Sequence, residues 1–241
     1  MNGRKLIPGR PLPASEIPDY DIRRDTLEET LSTAFLERLE TLNRFVLASG
    51  ETPEGNIFYP DLETIAVARP PAAGLAPARR NVWRATRFKR RLLEVGVNAG
   101  HSALLALSCN ARLEYYGVDL NEHSYTSQCV EFLQREFPGR VKFFPGDSRE
   151  VLPRLVAGRT EYAFDLIHID GGHTSEVAFS DVSNAIALAK GFPGRHLLVD
   201  DVHASWIFDI VCEFLARGDL TGETMFGDWE DSGRNLLARI G

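Results

Sequence analysis

The chain is poor in the residues that staple, anchor or export a protein. Its 241 residues include three cysteines, Cys109, Cys129 and Cys212, an odd and scattered set with no CxxC pair. That excludes a disulfide scaffold or a zinc ribbon and reads as reduced thiols of a cytoplasmic protein. No apolar run approaches the ~20 residues that span a bilayer, so no membrane partner is expected. The opening MNGRKLIPGRPLP carries charges but no apolar stretch, unlike a secretory signal. Positive charge is also in deficit, with 27 Lys+Arg against 34 Asp+Glu and a net charge of −7. The deficit is local. Residues 92–241 hold 12 basic and 22 acidic side chains, whereas residues 1–91 hold 15 and 12. An acidic main body excludes a general nucleic-acid binder, because phosphate surfaces repel it.

What is present is globular: 44% hydrophobic and 25% charged residues. Four prolines within residues 1–20 predict an extended arm. Thr26 with Glu29 forms a capping-box pattern, and Leu27, Leu31, Phe35, Leu39, Leu42 and Val46 share one face of a predicted helix ending at Gly50. Residues 51–80 are rich in proline and glycine, with a short helix near 61–68. Seven basic residues between Arg79 and Arg91 predict a solvated face, or else a patch for an anionic substrate or partner.

From Arg90 onward short apolar runs alternate with helical patterns. Strands are expected at 90–97, 113–118, 141–144, 163–169, 196–199, 221–226 and 235–240, with helices between most of them. Continuous apolar strands joined by helices predict a doubly wound, Rossmann-like α/β sheet, mostly parallel, with an N-terminal helical extension. Ligands of such sheets bind beyond the carboxyl ends of the strands, where the strand order reverses.

The loops at those ends carry the polar residues. Glu94-Val95-Gly96-Val97-Asn98-Ala99-Gly100 is an ExGxxxG turn into a helix, not the GxGxxG of dinucleotide binding. Asp119 ends the next strand, placed to hold both ribose hydroxyls of a nucleoside or to cap a helix. Asp147 and Ser148 follow the third strand, within reach of an adenine amino group or again as a cap. Asp170-Gly171-Gly172-His173 leaves the fourth. Asp200-Asp201 ends the fifth and joins Asp170 in a hard-oxygen set suited to Mg2+ or another divalent cation.

LLEVGVNAGHSALLAL, YGVDL, FPGDS and FDLIHIDGGH, in that order, resemble a class I S-adenosylmethionine-dependent methyltransferase over about residues 88–241. The resemblance implies a seven-stranded sheet with an antiparallel last strand and S-adenosyl-L-methionine as cofactor. It places Glu94, Gly96, Asn98 and Gly100 in the cofactor loop and Ser102 near the methionine moiety. Asp119 falls on the ribose, Leu120 against the adenine ring, and Asp147 with Ser148 at the adenine edge; Asp170 also borders the cofactor. IDGGH followed by LLVDD is similar to metal-dependent O-methyltransferases acting on natural-product sugars. That similarity implies Asp170, Asp200 and Asp201 as metal ligands and His173, aided by Asp170, as the catalytic base. Asn98 stands where many class I enzymes have glycine, and Asp201 where catechol-type relatives have asparagine.

The expected reaction is methyl transfer to a hydroxyl of a small molecule. A same-fold enzyme using the cofactor for aminocarboxypropyl transfer or cyclisation, or a nicotinamide-dependent oxidoreductase, are the alternatives. Residues 1–87 are expected to form a lid and acceptor-binding region or a homodimer contact, with Tyr20, Phe58, Tyr59 and Trp206 as aromatic candidates for the acceptor pocket.

Overall fold

Three runs, Arg91–Val95 (β1), Leu166–Ile169 (β4) and His196–Val199 (β5), are buried along nearly their whole length, as inner parallel strands must be. The computed structural model describes residues 26–52, 55–66, 71–172, 174–222 and 235–241. The remaining strands are Glu114–Asp119 (β2), Val141–Pro145 (β3), Leu220–Gly222 (β6) and Leu236–Ile240 (β7). Together they form one seven-stranded sheet in the order β3-β2-β1-β4-β5-β7-β6. β7 runs antiparallel to β5 and β6, while the first five strands are parallel. The chain proceeds outward from β1 through β2 to β3 and then crosses to β4. The order therefore reverses between β1 and β4, and the site follows from that seam.

Each face of the sheet carries its own apolar cluster. Val182 and Leu188 of Ser175–Ala189 (α9) and Val211 and Phe214 of Ser205–Arg217 (α10) pack on one face with Leu93, Ile167 and Leu197. On the other, Leu104 of His101–Cys109 (α5) and Leu133 of Ser124–Glu136 (α6) pack on Leu92 and Leu166. Phe35, Leu39, Leu42 and Val46 of the N-terminal helix join that same cluster.

The predicted helix from Thr26 to Gly50 is two helices, Leu27–Thr30 (α1) and Thr33–Ser49 (α2). The capping box is present, with Thr26 N–H donating to Glu29 Oε2 at 2.9 Å and Glu29 N–H to Thr26 Oγ1 at 3.2 Å. A second capping side chain follows. Ser32 accepts from Phe35 N–H at 3.4 Å and restarts the helix, so local side-chain bonding breaks the run. Gly50 ends α2 at φ 70°, where a left-handed cap is needed.

The basic run is not a solvated face. Leu62–Ala66 (α3) occupies the expected short helix, but Ala76–Thr86 (α4) lies where irregular chain was expected, begun by Pro77 in its first turn. Arg79, Arg84 and Lys89 are buried. Arg79 Nη1 and Nη2 donate to Ile57 O and Ala72 O, both at 2.9 Å. The irregular segment before α4 has backbone carbonyls with no ladder to join, and the arginine satisfies them. Lys89 Nζ lies 2.9 Å from His196 Nδ1. The arm at residues 1–20 and part of the predicted 221–226 strand lie outside the described residues.

A buried ion pair closes the opposite end of the sheet. Asp165 accepts Arg90 N–H at 2.6 Å and Arg91 N–H at 3.2 Å and pairs with Arg195, joining the starts of β1, β4 and β5. Asp165→Ala strands a buried guanidinium and is expected to cost about 3–5 kcal/mol in chemical denaturation; the apolar pair Asp165→Leu with Arg195→Met should recover the part due to the guanidinium but not the part due to the Arg90 and Arg91 N–H groups, which lose their acceptor. His196 gives a pH signature. Burial, and then the charge of Lys89, lowers its pKa to about 3. Below pH 6.5 the unfolded chain takes up a proton that native His196 refuses, so this group erodes stability on acidification by up to about 1.4 kcal/mol per pH unit. His196→Gln keeps an acceptor for Lys89 and should flatten the fall in denaturation midpoint between pH 6 and 4.

Candidate active site

A cavity of about 230 Å3 opens at the β1/β4 seam, beyond the carboxyl ends of the strands. Gly96, Asn98, Asp119 and Asp170 line it. Leu120, Asp147, Ser148 and Ser102 do so as well, whereas Gly100 and Glu94 are not on its wall. Gly96 adopts φ 92°, and a Cβ there would overlap the carbonyl of Asp170. Gly100 is the N-cap of α5 at φ 72°, with Leu133 Cδ1 2.7 Å from where its Cβ would stand. Asn98 takes φ 49°, a left-handed conformation that asparagine tolerates better than most residues. Tyr125 donates its hydroxyl proton to Asn98 Oδ1 at 2.8 Å, which holds that side chain in place.

Asp119 is no helix cap. Its Oδ2 accepts the N–H groups of Val97 and Asn98, both at 2.9 Å, and its Oδ1 accepts Asn121 N–H at 2.7 Å. The carboxylate ties the glycine loop to the end of β2 while remaining on the cavity wall. Asp147 does cap a helix. It accepts Arg149 N–H at 2.8 Å at the start of Ser148–Ala157 (α7) and pairs with the Arg149 guanidinium at 2.6 Å. That hydrogen bond, with the guanidinium charge, holds its pKa below the ordinary carboxylate value.

Glu94 sits beneath the cavity rather than in it. It is fully buried and stands opposite Gly117 and His168 in the sheet register. Tyr115 donates its hydroxyl proton to Glu94 Oε2, and His168 Nδ1 lies 2.8 Å from Oε1. Burial opposes a charge on His168, but the hydrogen bond and field of Glu94, with the charges of Asp170 and Asp200, outweigh it and raise its pKa to about 9. Among the described residues, the buried His168 Nε2 has no hydrogen-bond partner.

Asp170 faces the same surroundings with the opposite result. Burial first, then the charge of Asp200, raises its pKa well above the ordinary carboxylate value. Neither Asp170 nor the Asp200–Asp201 pair caps a helix; the caps are Thr174 for α9 and the backbone of Ala204 for α10. Asp200 Oδ1 accepts Asn235 Nδ2–H and Asp201 N–H, each at 2.8 Å, and Asp201 is held at φ 55°. Among the described residues, the ligand atoms that gather within 4.8 Å of one another belong to Glu94, His168 and Asp170, not to Asp170, Asp200 and Asp201. His173 lies outside the described residues; Gly172 before it lines the cavity.

Several cavity residues carry no expected role: Gly55 and Ile57 come from the proline- and glycine-rich segment, and His101 lies within LLEVGVNAGHSALLAL in the first turn of α5. His123 lines the rim, stacks on Tyr125 at 4.9 Å, and is held by Glu51 at 2.8 Å. Phe58 and Tyr59 are buried in the core and Trp206 is half exposed on α10, so packing accounts for the first two. Tyr20 lies outside the described residues.

Residues 93–202 match the family model of a methyltransferase domain, which is consistent with the class I S-adenosylmethionine-dependent resemblance of the sequence motifs. The match runs from β1 to just past Asp201. No curated protein matches the chain. Among solved structures, the O-methyltransferase TomG of Streptomyces achromogenes, involved in tomaymycin synthesis and in complex with SAM, is 18% identical, with 87% of this chain and 90% of that one covered at TM-score 0.57. An O-methyltransferase of Bacillus cereus in complex with SAH is 14% identical, covering 87% and 92% at TM-score 0.58. The SAH-bound methyltransferase PaMTH1 of Podospora anserina is 18% identical, covering 87% and 88% at TM-score 0.54. At these identities the likeness is one of fold. Among the described residues, no helix is long and apolar enough to cross a membrane.

The seam generates a direct test. Gly96→Ala forces a Cβ into the Asp170 carbonyl at a φ that alanine rarely adopts. It should lower the thermal midpoint by more than Gly50→Ala, where nothing lies within 4 Å of the added carbon. Equal losses would mean that backbone strain alone, without the close approach, makes glycine necessary at residue 96.

Proposed function

We propose that this chain transfers a methyl group from S-adenosylmethionine to a hydroxyl of a small molecule, with a divalent cation assisting. The observation that carries the reading is Asp119, whose carboxylate holds the glycine loop through Val97 and Asn98 and stands on the wall of the seam cavity. Bound there, S-adenosylmethionine supplies an electrophilic methyl carbon on a sulfonium sulfur.

The chain's own groups divide the remaining work. Asp119 accepts hydrogen bonds from the ribose hydroxyls. Leu120, exposed on the rim, covers one face of the adenine, and Asp147 with Ser148 meets its polar edge. Gly96, with no side chain, lets the sulfur end approach the backbone, and Gly100 with Asn98 keeps the loop open. The helix N-terminus behind Ser102 receives the methionine carboxylate. Asp170 borders the sulfonium, whose positive charge favours the ionised carboxylate.

The metal reading is supported by donor chemistry. Asp170, Asp200 and Asp201 end neighbouring strands; burial, then the charge of Asp200, raises the Asp170 pKa, and a cation held by these carboxylates would offset both. A divalent cation held there would lower the pKa of an acceptor hydroxyl and orient it. His173 takes the hydroxyl proton as the acceptor oxygen bonds to the methyl carbon and the carbon–sulfur bond breaks, its electron pair staying on sulfur. Residues 88–241 form the cofactor-binding domain in this reading. Residues 1–87 form the lid and acceptor region or a contact with a second copy; Ile57 and Gly55 on the cavity wall support the former.

The test is incubation of purified protein with S-adenosylmethionine and an acceptor library, with Mg2+ or with EDTA, and identification of the by-product by mass. S-adenosylhomocysteine is expected; methylthioadenosine would instead mean aminocarboxypropyl chemistry or cyclisation. EDTA should abolish turnover, and full activity in EDTA would remove the metal while leaving methyl transfer. Asp119→Ala should weaken S-adenosylmethionine binding by tenfold or more in calorimetry, since it removes charge-assisted hydrogen bonds and the loop's anchor. Unchanged affinity would take Asp119 out of the ribose site.

A further inference from the structure

His101 reaches the cavity through a network that neither the glycine loop nor the acidic strand ends explain. It is the first residue of α5, lines the cavity wall, and is 5% exposed. Its Nε2 lies 2.9 Å from Oδ1 of Asn43, a buried residue of α2, 58 positions earlier in the chain. Phe58 lies against the imidazole with its ring centroid 6.2 Å away.

An amide oxygen only accepts, so the ring proton of His101 sits on Nε2 and Nδ1 carries the lone pair. Burial keeps this ring neutral by lowering its pKa to about 4, and a helix N-terminus disfavours an imidazolium as well. The network therefore places a fixed, uncharged acceptor nitrogen beside the cavity. It is a poor general base and a good positioning group.

Which part of a ligand it meets follows from the layout of the wall. Asp147, Ser148 and Leu120 mark one end and Asp119 follows, whereas His101 and Ser102 lie at the start of α5. The amino-acid end of the cofactor carries a carboxylate and an ammonium. The free N–H groups of α5 suit the carboxylate. The ammonium needs acceptors that carry no proton.

We propose that His101 Nδ1 accepts a hydrogen bond from the α-ammonium of the cofactor's methionine end. Asn43 holds the ring in the tautomer that permits it. The proposal rests on the S-adenosylmethionine reading and extends it: the N-terminal helix α2 becomes part of the cofactor site.

The test uses the full-length chain and two ligands. S-adenosylhomocysteine has the amino-acid end; 5′-methylthioadenosine has the nucleoside and sulfur without it. His101→Phe, which keeps a ring beside Phe58, should weaken S-adenosylhomocysteine binding tenfold or more while changing methylthioadenosine binding less than about twofold. Asn43→Leu should move affinity in the same direction by less. In the wild type, 15N spectra of the imidazole should report the Nε2–H tautomer, with Nδ1 shifting when S-adenosylhomocysteine binds; in Asn43→Leu the ring should show both tautomers. Undiminished S-adenosylhomocysteine affinity in His101→Phe, equal loss of both ligands, or an Nδ1–H ring in the wild type would each overturn the proposal. Failure of the wild type to bind either ligand would overturn the cofactor reading itself, a different result from selective failure at His101.

Discussion

The backbone of Asp170 occupies the space that a side chain at residue 96 would need, and that single close approach organises the site. β1 and β4 are neighbours through Val95 and Ile169, and beyond that pair their chains part in opposite directions. The gap opens because the next residues have nothing to fill it with: Gly96 on one side, Gly171 and Gly172 on the other. Two hydrogen bonds set its edges, Gly96 N–H to Val118 O and Asp170 N–H to Val95 O, at 2.9 and 2.8 Å. The cavity is thus a property of where the sheet changes direction, and its chemistry is whatever the strand ends deliver to it.

They deliver negative charge. Glu94, Asp119, Asp170 and Asp200 all end parallel strands, and the sheet register brings Glu94, Asp170 and Asp200 to one face. Two devices keep that arrangement folded. His168, opposite Glu94, supplies an internal cation. The other device is the direct use of carboxylates as acceptors for backbone N–H groups, as at Asp119 and Asp200. At Asp170 the charge of His168 offsets only part of the effect, and burial, then the charge of Asp200, raises its pKa. A carboxyl left in this condition on a cavity wall is primed for a cation, whether a sulfonium, an ammonium or a metal ion.

Much of the sheet was legible from the sequence because inner strands are continuous apolar runs and their ends carry glycine and aspartate. The strand at 196–199 and the glycines of the turn, Gly96 and Gly100, were readable residue by residue. Burial of charge was not. The basic run at 79–91 reads as solvent-facing by composition, yet Arg79 and Lys89 find acceptors more than 20 positions away in sequence, at Ile57 and His196. Glu94 was expected in the loop because of its place in a motif; Gly117 on the neighbouring strand makes room for Tyr115 to lean over and bind it instead. Local pattern cannot carry such pairings, since they depend on register between strands rather than on spacing along one.

The N-terminal region is built into the domain, although its slight excess of basic residues reads by composition as a surface feature. In the fold, α2 contributes Phe35, Leu39, Leu42 and Val46 to the cluster that covers one face of the sheet, and Asn43 on the same helix meets His101. Glu51, just past α2, holds His123 and accepts Ser124 N–H at the start of α6. A segment tied at its core face and at two points on the cavity wall cannot swing as a free lid without exposing the apolar face of α5. Among the described residues of the N-terminal region, it is the short stretch around Gly55 and Ile57 that touches the cavity and has little regular structure of its own.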